Sequence, residues 1–204
     1  MLTGAAHRIA AIPAVYDLIQ RVTGLSSCNA FCRVQVSPVR SGAIVIDAGG
    51  GTALARDVFP RECIYICLDT APEKLSMARR RAGALAVLGD IAAMPFPNAV
   101  ADLVFARSVA HHLDEDQLVD LLVEARRVLR PGGRFVLVEP YRNPGNPLSQ
   151  VLWRYDRGSN PRSREALVAL MNEHFSEVSN RTVRTAHHVL VSVGTAVGGA
   201  AISL

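Results

Sequence analysis

The chain has 204 residues, half of them hydrophobic and a fifth charged, a balance that suits one globular domain with a full core and excludes a disordered chain. Its net charge of +4 comes from 21 Arg and a single Lys, Lys74, against 18 acids. The Arg residues are scattered without a basic block, so nucleic acid is not an expected partner.

The first stretch, MLTGAAHRIAAIPAVYDLIQ, lacks a basic start and breaks its apolar run at Pro13 and Asp17. It does not read as a secretory signal, and a cytoplasmic location is expected. Residues 1–40 are expected to form a helical cap, with Ala14, Val15, Leu18, Ile19 and Val22 at helical spacing ahead of Gly24. Such a helix would cover either an edge of the central domain or a ligand. The four cysteines fall as Cys28 with Cys32 and Cys63 with Cys67. Because Cys63 and Cys67 flank the apolar IYI of a buried strand, structural thiols are preferred to a zinc site, and no metal is expected.

Residues 41–140 read as a ligand-binding core. Ile44, Val45 and Ile46 suit a strand buried on both faces of a parallel sheet, and Asp47 ends it. Gly49, Gly50 and Gly51 follow as a turn that lets a ligand approach backbone closely. A helix through Leu54 and Val58 is expected just beyond, with its unpaired N–H groups facing that ligand. CIYICLD gives a second strand ending at Asp69. Thr70, ahead of Pro72 and Glu73, predicts a helix start in capping-box form, with the helix running to about Ala82.

A third strand is expected at Ala86–Leu88, ending in Gly89 and Asp90, and a fourth at Ala101–Ala106. Asp114 with Gln117 predicts a capped helix whose Leu118, Leu121, Leu122, Ala125, Val128 and Leu129 share one face, stopped by Pro131, Gly132 and Gly133. RFVLVE is the fifth strand, ending at Glu139. Strands alternating with helical segments predict a doubly wound parallel sheet with ligands at the carboxyl ends of its strands.

Residues 141–165 carry three Pro, five Arg and three aromatics. One reading is a solvated helix with Leu148, Val151, Leu152 and Tyr155 packed inward and Arg154 and Arg157 in water. The other is a lid whose aromatics cover a reactant while an Arg grips its anionic group. A helix through Leu167, Val168 and Met171 follows. Ser176–Arg184 and His187–Val193 are then expected as an antiparallel hairpin, too close together for a crossover helix. The uncharged tail after Thr185 reads as a buried strand and not as a membrane anchor. The whole of 1–204 is thus expected to be one domain, and its oligomeric state is not legible.

The motifs VIDAGGGTA, ICLD, GDIAAMPFP, ADLVFARSVAHHL and RVLRPGG run in order from about Ile44 to Glu139. In order and spacing they resemble the class I S-adenosylmethionine-dependent methyltransferases, closest to the small-molecule subgroup of quinone C-methyltransferases and sugar O-methyltransferases. The resemblance implies an α/β fold: a doubly wound, mostly parallel seven-stranded sheet of Rossmann-like type with a C-terminal antiparallel hairpin. It implies S-adenosyl-L-methionine as cofactor. Gly49, Gly50 and Gly51 would meet its methionine part, Asp47 would orient that loop and the ammonium group, and Asp69 would accept from both ribose hydroxyls. Asp90 matches the acceptor for the adenine amino group and Ile91 the apolar residue against the ring. Thr70 and Arg107, beside these positions, belong to the same cofactor set. A nicotinamide dinucleotide fits less well, since the third glycine of its G-x-G-x-x-G pattern is Leu54 here. The family's own third glycine is Ala53.

The resemblance also implies methyl transfer to a small-molecule acceptor, with O-methylation ranked slightly ahead of C- or N-methylation of a quinone-like or lipid acceptor. His111 and His112 fall on the acceptor side, with Glu139 placed to orient an imidazole acting as general base. If residues 141–165 are a lid, the acceptor is anionic. A non-catalytic domain that binds S-adenosylmethionine is the alternative from another functional class.

Overall fold

The structure is a computed structural model that describes residues 28–36, 39–82, 84–155, 160–185 and 188–197, with only the backbone of Ala82, Arg154 and Tyr155. The helix expected through Ala14 to Val22, and residues Arg157 and His187, lie outside the described residues.

The apolar runs pair into one sheet: β1 (Ile44–Ala48), β2 (Ile64–Asp69), β3 (Leu85–Leu88), β4 (Ala101–Arg107), β5 (Leu129–Pro140), β6 (Ser176–Val183) and β7 (Val189–Thr195). Their spatial order is β3-β2-β1-β4-β5-β7-β6. β1 to β5 are mutually parallel, and β7 is antiparallel to both β5 and β6. This is the expected seven-stranded sheet with its C-terminal antiparallel pair.

Helices cover both faces, which is why the central strands are apolar throughout. On one face α3 (Glu115–Val128) and α5 (Arg164–His174) pack Leu118, Leu121, Leu122, Leu167 and Met171 against Val104, Phe135 and Leu137. On the other, α1 (Cys28–Val36) and α2 (Pro72–Ala82) bring Cys28, Cys32, Leu75 and Ala78 to Val45, Phe105 and Val136. Each fully buried Leu contributes about 1.5–3 kcal/mol. All four cysteines are buried free thiols, Cys63 and Cys67 included. The α3 start is the expected capping box: Gln117 N–H donates to Asp114 Oδ1 (2.9 Å), and Asp114 N–H to Gln117 Oε1 (3.0 Å).

Four local expectations are corrected. No α-helix follows the glycine turn: residues 51–55 form turns and only Arg56–Val58 make one 3-10 turn. Ala53 sits at φ +58, in the left-handed region that stops a helix, and extended Phe59 precedes Pro60. Thr70 does not cap α2, which begins at Pro72 with the Ala71 carbonyl accepting from Leu75 N–H (3.1 Å). Pro131, Gly132 and Gly133 do not stop a helix but form an irregularity inside β5, because α3 already ends at Val128 and Leu129 pairs with Ala101. Finally, in α4 (Pro147–Tyr155) Leu148 and Val151 are not packed inward; they are 56% and 49% exposed. Among the described residues, no helix is long and apolar enough to cross a membrane.

Candidate active site

The glycine turn folds back over β2. Gly49 and Gly50 N–H both donate to the Leu68 carbonyl (2.8 and 3.1 Å). Gly49 takes φ +72, and a Cβ there would lie 2.5 Å from Val109 Cγ2. A Cβ on Gly50 would lie 2.7 Å from Asp47 Oδ2 and 2.8 Å from Cys67 Sγ. Gly49 and Gly50 are thus required by close approach, and Gly49 and Gly51 (φ +56) take the left-handed backbone of the turn.

Beneath it Asp47 is 1% exposed and accepts a hydrogen bond from the Tyr65 hydroxyl. Burial pushes its carboxyl up to about 6, opposed by the Tyr65 bond and the Arg107 charge and helped by Asp69. The same burial and the carboxylate beside it hold the Tyr65 hydroxyl well above its ordinary range. Asp47, Gly49, Gly50, Thr52, Leu54 and Arg107 line an open cleft. Arg107 reaches from β4 to α1, where Nη1 donates to Asn29 Oδ1 (2.9 Å).

Asp69, at the end of β2, accepts from Gly51 N–H through Oδ2 (2.9 Å) and from Ala71 N–H through Oδ1 (2.8 Å). It ties the glycine turn to the start of α2, and each oxygen keeps a further lone pair for a ligand hydroxyl. Thr70 beside it is exposed. Past β3, Asp90 is exposed and accepts from Ala92 N–H through Oδ1 (2.9 Å), while Ile91 is buried in the core beside Met94. Three carboxylates thus stand at or just past the ends of three neighbouring strands, of which Asp47 lines the cleft.

The two histidines separate. His111 is 4% exposed and its Nδ1 bonds Glu139 Oε1; His112 is exposed. Glu139, 1% exposed at the end of β5, accepts backbone N–H bonds from Val109 (3.1 Å), Ala110 (3.0 Å) and His111 (3.2 Å). A carboxylate accepting this many bonds acts as acceptor toward His111 too, so Nδ1 carries a proton. The ring of Trp153, from α4, meets His111 edge-on at 5.5 Å. Residues 160–162 close over the same turn: Asn160 N–H donates to the His111 carbonyl (3.0 Å), and Arg162 donates to the Ala110 (2.7 Å) and Leu113 (3.1 Å) carbonyls and pairs with Glu115 (3.0 Å). Arg162 is therefore committed to holding backbone. His188 lies just before β7, next to Asn143 (2.9 Å) and Tyr141.

Sequence reasoning missed Tyr65, Asn29 and Ser108, which carry no local pattern. Ser108 follows β4 at φ +54, 5% exposed, with no hydrogen-bond partner for its hydroxyl among the described residues. It also missed the Glu124–Arg127 pair, whose opposite charges at i, i+3 were a readable signal.

Residues 46–137 match the family described as "Methyltransferase domain". A ubiquinone/menaquinone biosynthesis C-methyltransferase of Paracoccus denitrificans is 35% identical over 133 residues, 59% of this chain and 50% of that protein. A demethylmenaquinone methyltransferase of Thermobifida fusca is 32% identical over 149 residues, 67% of this chain and 61% of that one. The chain thus spans about half the length of the curated relatives it matches. Among solved structures, a SAM-dependent methyltransferase of Thermotoga maritima superposes with a TM-score of 0.74 at 17% identity, covering 93% of this chain and 98% of the other. At that identity the likeness concerns the fold.

Proposed function

We propose that this chain, which carries a methyltransferase domain over residues 46–137, transfers a methyl group from S-adenosylmethionine to a small-molecule acceptor. The observation that carries the reading is the row of strand ends: a turn in which Gly49 and Gly50 leave no room for a Cβ, with Asp47, Asp69 and Asp90 at or just past the ends of three neighbouring strands. A zwitterionic methionine part, a ribose diol and an adenine need backbone approach, paired acceptors and a lone acceptor in that order. Asp69, with a lone pair left on each oxygen, suits the diol. Arg107 and the buried Ser108 hydroxyl are available at the methionine end. A cytoplasmic location accords with this reading.

When bound, the cofactor supplies a methyl group on a sulfonium. The chain's own part is alignment and exclusion of water by Trp153 and the 160–162 segment, and removal of a proton where the acceptor is a hydroxyl. Glu139 holds the His111 proton on Nδ1, which makes Nε2 the general base of an O-methylation. C-methylation is the second reading, supported by the two relatives named as quinone methyltransferases and by the deep burial of His111. A binding domain without turnover is the third. Arg162 is spent on backbone carbonyls and does not serve an anionic acceptor, while the side chains of Arg154 and Arg157, the residues expected to grip one, lie outside the described residues.

Calorimetry with S-adenosylmethionine tests the cofactor site. Asp69→Ala is expected to weaken binding about 10- to 100-fold, the loss of one charge-assisted interaction of roughly 1.5–3 kcal/mol. Equal affinity in wild type and variant would refute the ribose role. Transfer of label from the cofactor to acceptors in a metabolite extract separates an enzyme from a binder. For a hydroxyl acceptor, His111→Ala should lower turnover about 100-fold with cofactor affinity retained, and His112→Ala should change it little. Near-normal turnover in His111→Ala would favour transfer by positioning alone.

A further inference from the structure

The 94–98 loop carries no cleft-lining group, yet α3 holds it with a concentration of hydrogen bonds. Arg127 uses all five of its N–H donors: Nη1 to the Phe96 carbonyl (2.8 Å) and Asn98 Oδ1 (2.8 Å), Nη2 to the Met94 carbonyl (2.8 Å) and Glu124 Oε2 (2.8 Å), and Nε to Glu124 Oε1 (2.6 Å). Glu124 Oε2 also accepts from Met94 N–H (2.6 Å). The Arg127 bond holds the Glu124 carboxyl below its usual range. The side chains are 31% and 16% exposed, so this is a bidentate pair at the rim of the core, and its fork geometry cannot be reproduced by lysine.

What the clamp grips is mechanically joined to Asp90. A Cβ on Gly89 would lie 3.0 Å from Pro95 Cγ, so the clamped loop lies against the backbone just ahead of Asp90. Ala93 N–H donates to the Asp90 carbonyl (3.3 Å) and pairs with Asp90 as an isolated bridge. Asp90 itself is exposed and takes one local bond, from Ala92 N–H. Its carboxylate is therefore positioned by the chain that follows it and not by its own burial.

We propose that Glu124 and Arg127 are positioning residues for nucleobase selection: through Met94, Phe96 and Pro95 they set the place of Asp90, and with it the preference for a base bearing an exocyclic amino group. This rests on the proposed reading of Asp90 as the adenine acceptor. Arg127 touches no reacting atom. Its effect falls on which base is accepted.

The test is binding of S-adenosylhomocysteine and of its 6-oxo analogue, in which hypoxanthine replaces adenine, measured by calorimetry on the full chain. Wild type should prefer the adenine form. Arg127→Lys should weaken the adenine form about 10-fold and leave the analogue nearly unchanged, so that the preference shrinks. Asn98→Ala, which removes one of the five bonds, should shift it the same way by less, and serves if Arg127→Lys fails to fold. A purely structural clamp would lower the melting temperature and leave the ratio of affinities intact, which overturns the inference. Asp90→Asn separates the two claims. Loss of preference there with none in the clamp variants overturns only the positioning role, whereas preference retained in Asp90→Asn removes the adenine reading and the inference with it.

Discussion

Glu139→Ala should destabilise the protein by about 3–5 kcal/mol and abolish turnover. Glu139 is 1% exposed and accepts three backbone N–H bonds and His111 Nδ1. Its removal leaves four buried donors facing a cavity, each costing about 1–3 kcal/mol before relaxation and entry of water reduce the sum. The turn from Val109 to His112 would lose the group that shapes it, along with the position of His111. Glu139→Gln is the finer variant. An amide can accept on one side only, so either a backbone N–H or His111 Nδ1 meets an NH2 group, and in the latter case the imidazole proton moves to Nε2. Turnover on a hydroxyl acceptor should then fall about as far as in His111→Ala, at a smaller cost in stability. Urea unfolding and initial rates measure both. An alanine variant within about 1 kcal/mol of wild type would show that the Glu139 carboxylate is not what holds this turn.

The second large effect has the opposite sign for stability. Asp47 is fully buried, and burial pushes its carboxyl from 3.8 to about 6. A folded-state pKa above the unfolded value means that the folded state binds the extra proton. Asp47 therefore favours folding most below about pH 4, and that contribution is lost as pH rises through about 6. A shift of about two units corresponds to roughly 3 kcal/mol. Asp47→Asn should thus raise stability by up to about 3 kcal/mol near pH 8 and leave it nearly unchanged near pH 4. The amide oxygen can still accept from Tyr65. The same variant removes the negative charge under the glycine turn and beside Arg107, so cofactor affinity should drop about 10-fold or more. Gains in stability with loss of binding would mark Asp47 as a group retained for its ligand. Urea midpoints across the pH range read the first effect and calorimetry the second. A stability difference independent of pH would mean that Asp47 keeps an ordinary pKa in the fold.

Much of the framework of the candidate site was legible because its parts are local. An apolar β-branched run, an acid at its end and a turn without Cβ atoms specify a buried strand and a place for backbone to meet a ligand, whatever surrounds them. Repeated for Ile44–Asp47, Ile64–Asp69 and the run into Asp90, with a capped amphipathic helix after β4, that pattern determined the doubly wound sheet, the order of its motifs and the positions of Asp47, Asp69, Asp90 and Glu139 at strand ends. Tertiary structure decided what no window of sequence contains. The missing helix after Gly51 follows from a left-handed Ala53 pinned in the core, and the Leu148 and Val151 face of α4 turns outward although its spacing suits burial. Which histidine meets Glu139 depends on the turn after β4 being closed by a carboxylate 28 residues away, and the Arg127 fork finds its carbonyls 31 and 33 residues back along the chain. Periodicity reports which face of an element is apolar. Which polar groups converge above that face depends on how distant elements pack, because a hydrogen bond is decided by tenths of an ångström that no spacing rule encodes.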